Sequence, residues 1–271
     1  NLPEGLDSIG NSAFWSSFLL RRVVLPESVI HLGIGAFAMT DSLRSINIPL
    51  GVTEIPDLFL AYSNEIDTII IPDGVTRIGN CAFQLDYDLN YIKLPKKLKS
   101  IGFYAFEATN VVEFVFPETL ELIEEGAFNG LKYLQKVYCM AKTPPIAELD
   151  PINDYDGPFY WSGKNCTLYV PKGSGDLYRN ASGWQDFQQV VETDNFPSSC
   201  GITFAPSCTV STSDGEIIIN NPTDIPTRVS VYAVNGNLVR QEKVVGTFAL
   251  TVSPGIYLVK AGRETEKVVV K

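Results

Sequence analysis

The chain has 271 residues, and its 31 acidic against 21 basic side chains leave a net charge of −10 with a single histidine. An acidic chain repels nucleic-acid phosphates and anionic membranes, so neither is expected as a partner. No apolar run approaches the ~18–20 residues that a membrane-crossing helix needs.

Chain order begins with a repeat. Pro3, Pro26, Pro49, Pro72 and Pro95 recur every 23 residues, and Pro117 follows after 22. Asn1 falls inside the first repeat, as a trimmed start would leave it. A period of this length predicts stacked coils, each too small to bury its own apolar face. Before each proline, apolar positions alternate with others, as in Ile46-Asn47-Ile48 and Ile92-Lys93-Leu94, the period-two signature of a half-buried strand. Proline ends that strand because it has no N–H for the ladder. A briefer strand is expected at Val29–Leu32 and its equivalents. Ile-Gly pairs then turn the chain, and the Ala36-Phe37 type of segment fits one helical turn. One unit deviates: Pro56 replaces the turn glycine and Phe59 comes a residue early, so an altered local turn is expected there with the strand register intact.

The period ends at Cys139. An irregular acidic loop over 148–156 follows, then a strand at Cys166–Pro171 that echoes the repeat. Tyr178, Ala181, Trp184, Phe187 and Val190/Val191 suggest one apolar helix face. The expected organisation is a coiled array over 1–139, its cap over 140–194, a linker at 195–199, and a small antiparallel β-sandwich over 200–271. In that last domain Asn235-Gly236-Asn237 marks a hairpin turn.

The pattern Pro-x-x-Val-x-x-Ile-Gly-x-x-Ala-Phe-x(5)-Leu-x-x-Ile-x-Leu-Pro resembles the BspA-like leucine-rich repeat of bacterial and some protist surface proteins, over residues 2–139. The cap residues Ala141–Pro145, Leu168–Ser174, Tyr178, Trp184 and Phe187 are similar to the segment that ends such arrays. The tail, with Val229–Gly236, Gly255–Lys260 and Lys267–Lys271, resembles the C-terminal sorting domain of type IX secretion in Bacteroidetes. The fold class expected is therefore a β-rich leucine-rich-repeat solenoid of short parallel strands and short helical turns, followed by a small antiparallel β-sandwich. The resemblance implies an exported protein, extracellular or anchored at the outer-membrane surface, that adheres to host matrix proteins or other cells. It carries over no catalytic residue, and a non-enzymatic protein with no cofactor is expected. A carbohydrate- or nutrient-binding surface module is the alternative.

Candidate binding residues are the outward side chains of the proline-terminated strands: Arg22, Val24, Asn47, Ile70, Tyr91, Lys93, Glu113, Val115, Lys136 and Tyr138. Large aromatic and apolar groups kept on an outward face suit protein contact, although strands also favour them for their own sake. Asp154 and Asp156, in Asp-x-Asp-Gly, are a weak calcium candidate because Ile152 and Gly163 stand where ligands belong. Cys200 and Cys208 flank a short apolar stretch that a hairpin could close with a disulfide, whereas Cys81 and Cys139 read as small buried hydrophobes. The lone His31 reads as structural or exposed. No zinc spacing and no nucleophile–base arrangement occurs.

Overall fold

The computed structural model describes residues 2–149, 157–162, 165–197, 208–213, 215–222, 227–235, 237–261 and 264–270. The chain divides into two compact units, residues 1–201 and 202–271.

In the first unit each coil carries one strand after the proline turn and one before the next proline. The pairs are β1 (Ser8–Ile9) and β2 (Arg22–Val23), β3 (His31–Leu32) and β4 (Ser45–Ile46), β5 (Glu54–Ile55) and β6 (Thr68–Ile70), β7 (Arg77–Ile78) and β8 (Tyr91–Lys93), β9 (Ser100–Ile101) and β10 (Glu113–Phe116), and β11 (Leu122–Ile123) and β12 (Lys136–Cys139). The cap adds β13 (Ile146–Ala147), β14 (Thr167–Pro171), the helix α1 (Gly175–Asn180) and β15 (Gln189–Thr193). All pairing is parallel, between equivalent strands of successive coils. The post-proline strands form β1–β3 and β5–β7–β9–β11–β13; the proline-terminated strands form β2–β4, β6–β8 and β10–β12–β14–β15. Proline is also the corner between the two faces. Its carbonyl accepts the N–H three residues on, as from Val29 to Pro26 at 3.0 Å and from Val75 to Pro72 at 3.1 Å.

The third side of each coil differs from the helical turn expected. Alternate residues make three-residue turns, such as Ala36 N–H to Gly33 O at 3.2 Å, while the residues between them donate to the next coil, as Phe37 does to Phe59 O at 3.1 Å. Each described turn holds two left-handed residues four apart, and most are not glycine: Ser12 and Ser16, Leu58 and Tyr62, Cys81 and Leu85, Tyr104 and Ala108. The left-handed twist points each N–H along the stack, where it meets a carbonyl: Leu58 donates to Asn80 O at 2.8 Å and Cys81 to Phe103 O at 2.8 Å.

The turn at Pro56 is not altered. Leu58 has the left-handed φ of its equivalents Gly35 and Cys81, and the inter-coil bonds keep their period of 23 from Gly35–Asp57 through Leu58–Asn80. No residue is lost there. Phe59 takes the position of Ala36, and only its ring adapts. It meets Phe37 and Phe83 edge-on, at 83° and 85°, whereas Phe83 and Phe106 stack at 5°. The phenylalanine column runs from Phe14 to Phe128 and ends on Phe159 of the cap, 5.1 Å from Phe128.

Glycine is needed where coils approach. A Cβ on Gly79 would lie 2.4 Å from Asp57 Oδ1, and one on Gly102 would lie 2.4 Å from Asn80 Oδ1. A buried polar column stands beside the apolar core. Thr40, Ser63, Asp86 and Thr109 are buried at equivalent positions. Thr40 Oγ1 is 3.0 Å from Ser63 Oγ, and Ser63 N–H donates to Asp86 Oδ1 at 2.6 Å. Asp86 Oδ2 and Thr109 Oγ1 have no protein partner.

The cap corrects a second expectation. Of residues 175–191, all described, Gly175–Asn180 alone are helical. Beyond it, Trp184 donates to Ala181 O and Phe187 to Trp184 O, both at 3.2 Å, in separate three-residue turns. Gly183 is left-handed, and Val190 and Val191 belong to strand β15. A strict spacing of three was the signature of successive tight turns, not of a 3.6-residue helix. Trp184 is buried, its indole N–H donating to Pro145 O at 2.9 Å.

The second unit holds β16 (Thr209–Ser213), β17 (Glu216–Asn221), β18 (Thr227–Ala233), β19 (Leu238–Val244), β20 (Gly246–Thr251), β21 (Gly255–Ala261) and β22 (Glu264–Val270). They form two antiparallel sheets, β16–β17–β20 and β19–β18–β21–β22. One apolar cluster takes Ile217 and Ile219 from the first and Val229, Val231, Tyr257, Val259 and Val268 from the second. The turn at Asn235 closes β18 onto β19, with Ala233 N–H donating to Asn237 O at 2.9 Å.

Candidate functional site

The ten candidate residues fall on the three stretches of the proline-terminated ladder. Alternation sends Val23, Ile69, Ile92, Phe114 and Val137 into the core and their neighbours outward. Arg22 stands across from Ser45 on the β2–β4 pair, and Val24 follows it, 57% exposed. Asn47, though on the same row, is committed to the backbone. Its Oδ1 accepts from Leu25 N–H at 2.7 Å and its amide donates to Leu25 O at 2.9 Å, so it splices the strand ends together.

On β6–β8, Thr68 faces Tyr91 and Ile70 faces Lys93. Ile70 is exposed. Lys93 Nζ lies 3.6 Å from Asp73 Oδ1 and Lys96 Nζ 3.2 Å from Asp73 Oδ2. Burial pushes the Asp73 carboxyl up, but the hydrogen bond and charge of Lys96 and the charge of Lys93 outweigh it and hold it below its ordinary value.

The longest stretch gathers four candidates. Glu113, Lys136, Thr167 and Gln189 form one row in register, and Val115, Tyr138, Tyr169 and Val191 form the next. Tyr138 and Tyr169 stack with centroids 4.5 Å apart at 16°. Partial burial, with the charge of Glu113 and the neighbouring Tyr169 ring, raises the Tyr138 phenol. Thr167, Tyr169, Gln189 and Val191 continue these rows but were not among the sequence candidates. The signal for the first two was present, since Thr167 and Tyr169 stand four and two residues before Pro171. Reading that strand only as a cap removed it from the stripe.

The other candidates fare differently. Asp154, Asp156 and Cys200 lie outside the described residues, so the calcium and disulfide readings are not addressed by the geometry; Cys208 is half-buried. Among the described residues no group of three or more His, Cys, Asp or Glu side chains is placed to hold a metal ion. His31 is exposed on β3. Cys81 is half-buried, contrary to the expectation of a buried hydrophobe. Cys139 is buried and accepts from the Tyr178 hydroxyl at 3.1 Å. Burial pushes its thiol to about 11 and that of Cys166 to about 12. Neither is a nucleophile at neutral pH. Among the described residues no helix is long and apolar enough to cross a membrane.

Residues 7–135 match the BspA type leucine rich repeat region family in six copies. The stacked coils are thus similar to leucine-rich repeats of the BspA type. A leucine-rich repeat protein from Bacteroides ovatus is similar at 17% identity and a TM-score of 0.53, over 72% of this chain and 54% of that one. A leucine rich repeat protein of T. pallidum is 26% identical with a TM-score of 0.45, over 51% of this chain and 66% of that one. A leucine rich cell surface protein from Faecalibacterium prausnitzii is 18% identical with a TM-score of 0.43, over 69% and 61%. The chain thus spans about half to two thirds of the length of these proteins. The first likeness shows the same fold. No curated protein matches the chain. Repeat solenoids of this class are binding scaffolds, and no catalytic family is among the matches.

Proposed function

We propose that this is a secreted or surface-displayed bacterial interaction protein that binds a protein ligand through the outward face of its proline-terminated strands. The observation that carries the reading is the register-matched row Val115–Tyr138–Tyr169–Val191 beside the polar row Glu113–Lys136–Thr167–Gln189. An apolar, aromatic centre with a charged margin is the composition of a protein contact. The stacked tyrosines turn their ring faces toward each other, which suits a peptide better than the flat stacking of a sugar. Host matrix proteins and proteins of other cells are the ligands to test. The paired variant Tyr138→Ala and Tyr169→Ala should weaken attachment to the matrix protein that binds wild type by roughly tenfold or more, with an unchanged melting temperature. Undiminished binding would remove this face from consideration.

A glycan-binding reading is favoured by one observation, the Trp161 indole, which is 71% exposed. A glycan array probed with wild type and Trp161→Ala separates the two. A glycan signal lost in the variant supports the second reading, and silence across the array leaves the first.

The antiparallel unit is proposed to be a sorting-type sandwich that directs export or anchoring, on its resemblance to such tails. Deleting residues 200–271 and fractionating the cells tests it: the protein should disappear from the surface, and unaltered display sinks the idea.

A further inference from the structure

The same tight turn recurs at the corner leading into most of the proline-terminated strands. Leu20 N–H closes on Ser17 O at 3.0 Å, Leu43 on Thr40 O at 2.8 Å, Leu89 on Asp86 O at 3.0 Å and Leu134 on Leu131 O at 3.2 Å. The two residues at the tip of each turn therefore occupy equivalent places. They are Asp41-Ser42, Asn64-Glu65, Tyr87-Asp88 and Lys132-Tyr133 in four coils, all with a polar or charged member. In the first coil they are Phe18 and Leu19. Phe18 is 55% exposed and Leu19 is 91% exposed. At the first tip position Asp41, Tyr87 and Lys132 are exposed and Asn64 is half-buried, so the exposure of Phe18 follows from its place on the corner; at the second, Ser42, Glu65, Asp88 and Tyr133 are half-buried, and Leu19 stands out further.

Two arginines follow after the half-buried Leu20, Arg21 and Arg22, both exposed. Arg44, the counterpart of Arg21, is neutralised by Glu65, with Nε to Oε2 at 2.9 Å. Among the described residues no acidic group pairs with Arg21 or Arg22, although the chain carries 31 acidic side chains. Val24 continues the exposed surface along the strand. Phe, Leu and Arg together are the composition of an interface centre: apolar groups for desolvated contact, and guanidinium forks that grip carboxylates in two places at once. A net charge of −10 opposes an acidic partner at long range. Screening within about 8 Å at physiological salt leaves the local arginines to decide the contact.

We propose that the Phe18–Val24 corner docks an acidic protein segment, with Phe18 and Leu19 contacting its apolar side chains and Arg21 and Arg22 its carboxylates. The proposal rests on the reading of the solenoid as an interaction protein but uses a surface apart from the tyrosine rows.

A phage-displayed library of random peptides, selected on the full chain, tests it without knowledge of the natural ligand. The expected result is enrichment of peptides that combine Asp or Glu with Leu, Phe or Trp. Those peptides should bind Arg21→Glu/Arg22→Glu and Phe18→Ser/Leu19→Ser variants at least roughly tenfold more weakly, and Arg21→Lys/Arg22→Lys only modestly so. They should bind Tyr138→Ala/Tyr169→Ala as they bind wild type. All these side chains are solvent-facing, and a circular dichroism melt confirms that each variant folds. Selected peptides without acidic enrichment, or indifferent to the corner variants, overturn the proposal. Peptides lost only with the tyrosine variant overturn it while leaving the strand-face reading intact. Binding to phosphatidylglycerol vesicles through the same arginines, with no peptide selected, also overturns it.

Discussion

Asp86 is the residue on which the solenoid's chemistry is least comfortable. It sits fully buried in a column otherwise made of hydroxyls, with one carboxyl oxygen on the Ser63 N–H and the other without a protein partner. Burial first, and the charge of Asp88 after it, push its carboxyl well above the ordinary value, against the hydrogen bond from Ser63. The folded protein therefore holds this proton more tightly than the unfolded chain. Stability is greatest below the unfolded value near 4 and falls as pH climbs toward the folded value. Asp86→Asn should remove that slope, because its carbonyl can still accept from Ser63 and it carries no titrating group. We expect the variant to melt higher than wild type at pH 7, by on the order of 1–3 kcal/mol, and close to wild type at pH 4. Equal pH dependence of the two melting curves would refute this. A second residue-scale expectation concerns Ala108, held at φ 56°. Left-handed backbone costs a non-glycine residue about 1–2 kcal/mol, and glycine's extra chain entropy offsets part of that. Ala108→Gly should thus stabilise by roughly 0.5–1 kcal/mol in urea denaturation, with an unchanged m-value.

Within a coil, the Ile-Gly corner is where spacing is tightest. Gly102 has an ordinary φ, so its need is purely steric: a methyl there would stand 2.4 Å from Asn80 Oδ1 and 2.8 Å from Asn80 N and Gly79 C. Backbone cannot yield as a flexible side chain can. Gly102→Ala should cost about 1–3 kcal/mol in thermal or urea unfolding, whereas Gly10→Ala, with nothing within 4 Å, should cost far less. Similar losses at the two sites would contradict the close-approach argument. The strands at these corners were legible from the alternation before each proline. The turn elements were not. Many of their left-handed positions carry Met, Leu, Tyr, Cys or Ala, residue types that give no turn signal, because the conformation is imposed by carbonyls of the next coil. The cap differs for a related reason: Tyr178, Ala181, Trp184 and Phe187 are apolar at a strict interval of three, which belongs to a chain of tight turns and drifts off one face of a 3.6-residue helix.

For the molecule as a whole, the two units carry separate apolar clusters, one running from Ile9 to Phe187 and one confined to the C-terminal strands. A chain ended after residue 197 should keep the solenoid's melting temperature within a few degrees; a collapse of that transition would show that the solenoid depends on the tail. The repeat period, the burial of the leucine, isoleucine and phenylalanine positions, and the parallel order of the strands followed from the sequence alone. A 23-residue period with period-two alternation permits one stacking of equivalent strands that buries every apolar row. Tertiary structure decided what the period does not encode: that Phe59 enters an alanine position without moving the backbone, that Asn47 hydrogen-bonds the Leu25 backbone, and that cap strands continue the row of Tyr138. Each depends on which atoms of the neighbouring coil lie across the gap, and that is a property of the stack, not of any one unit.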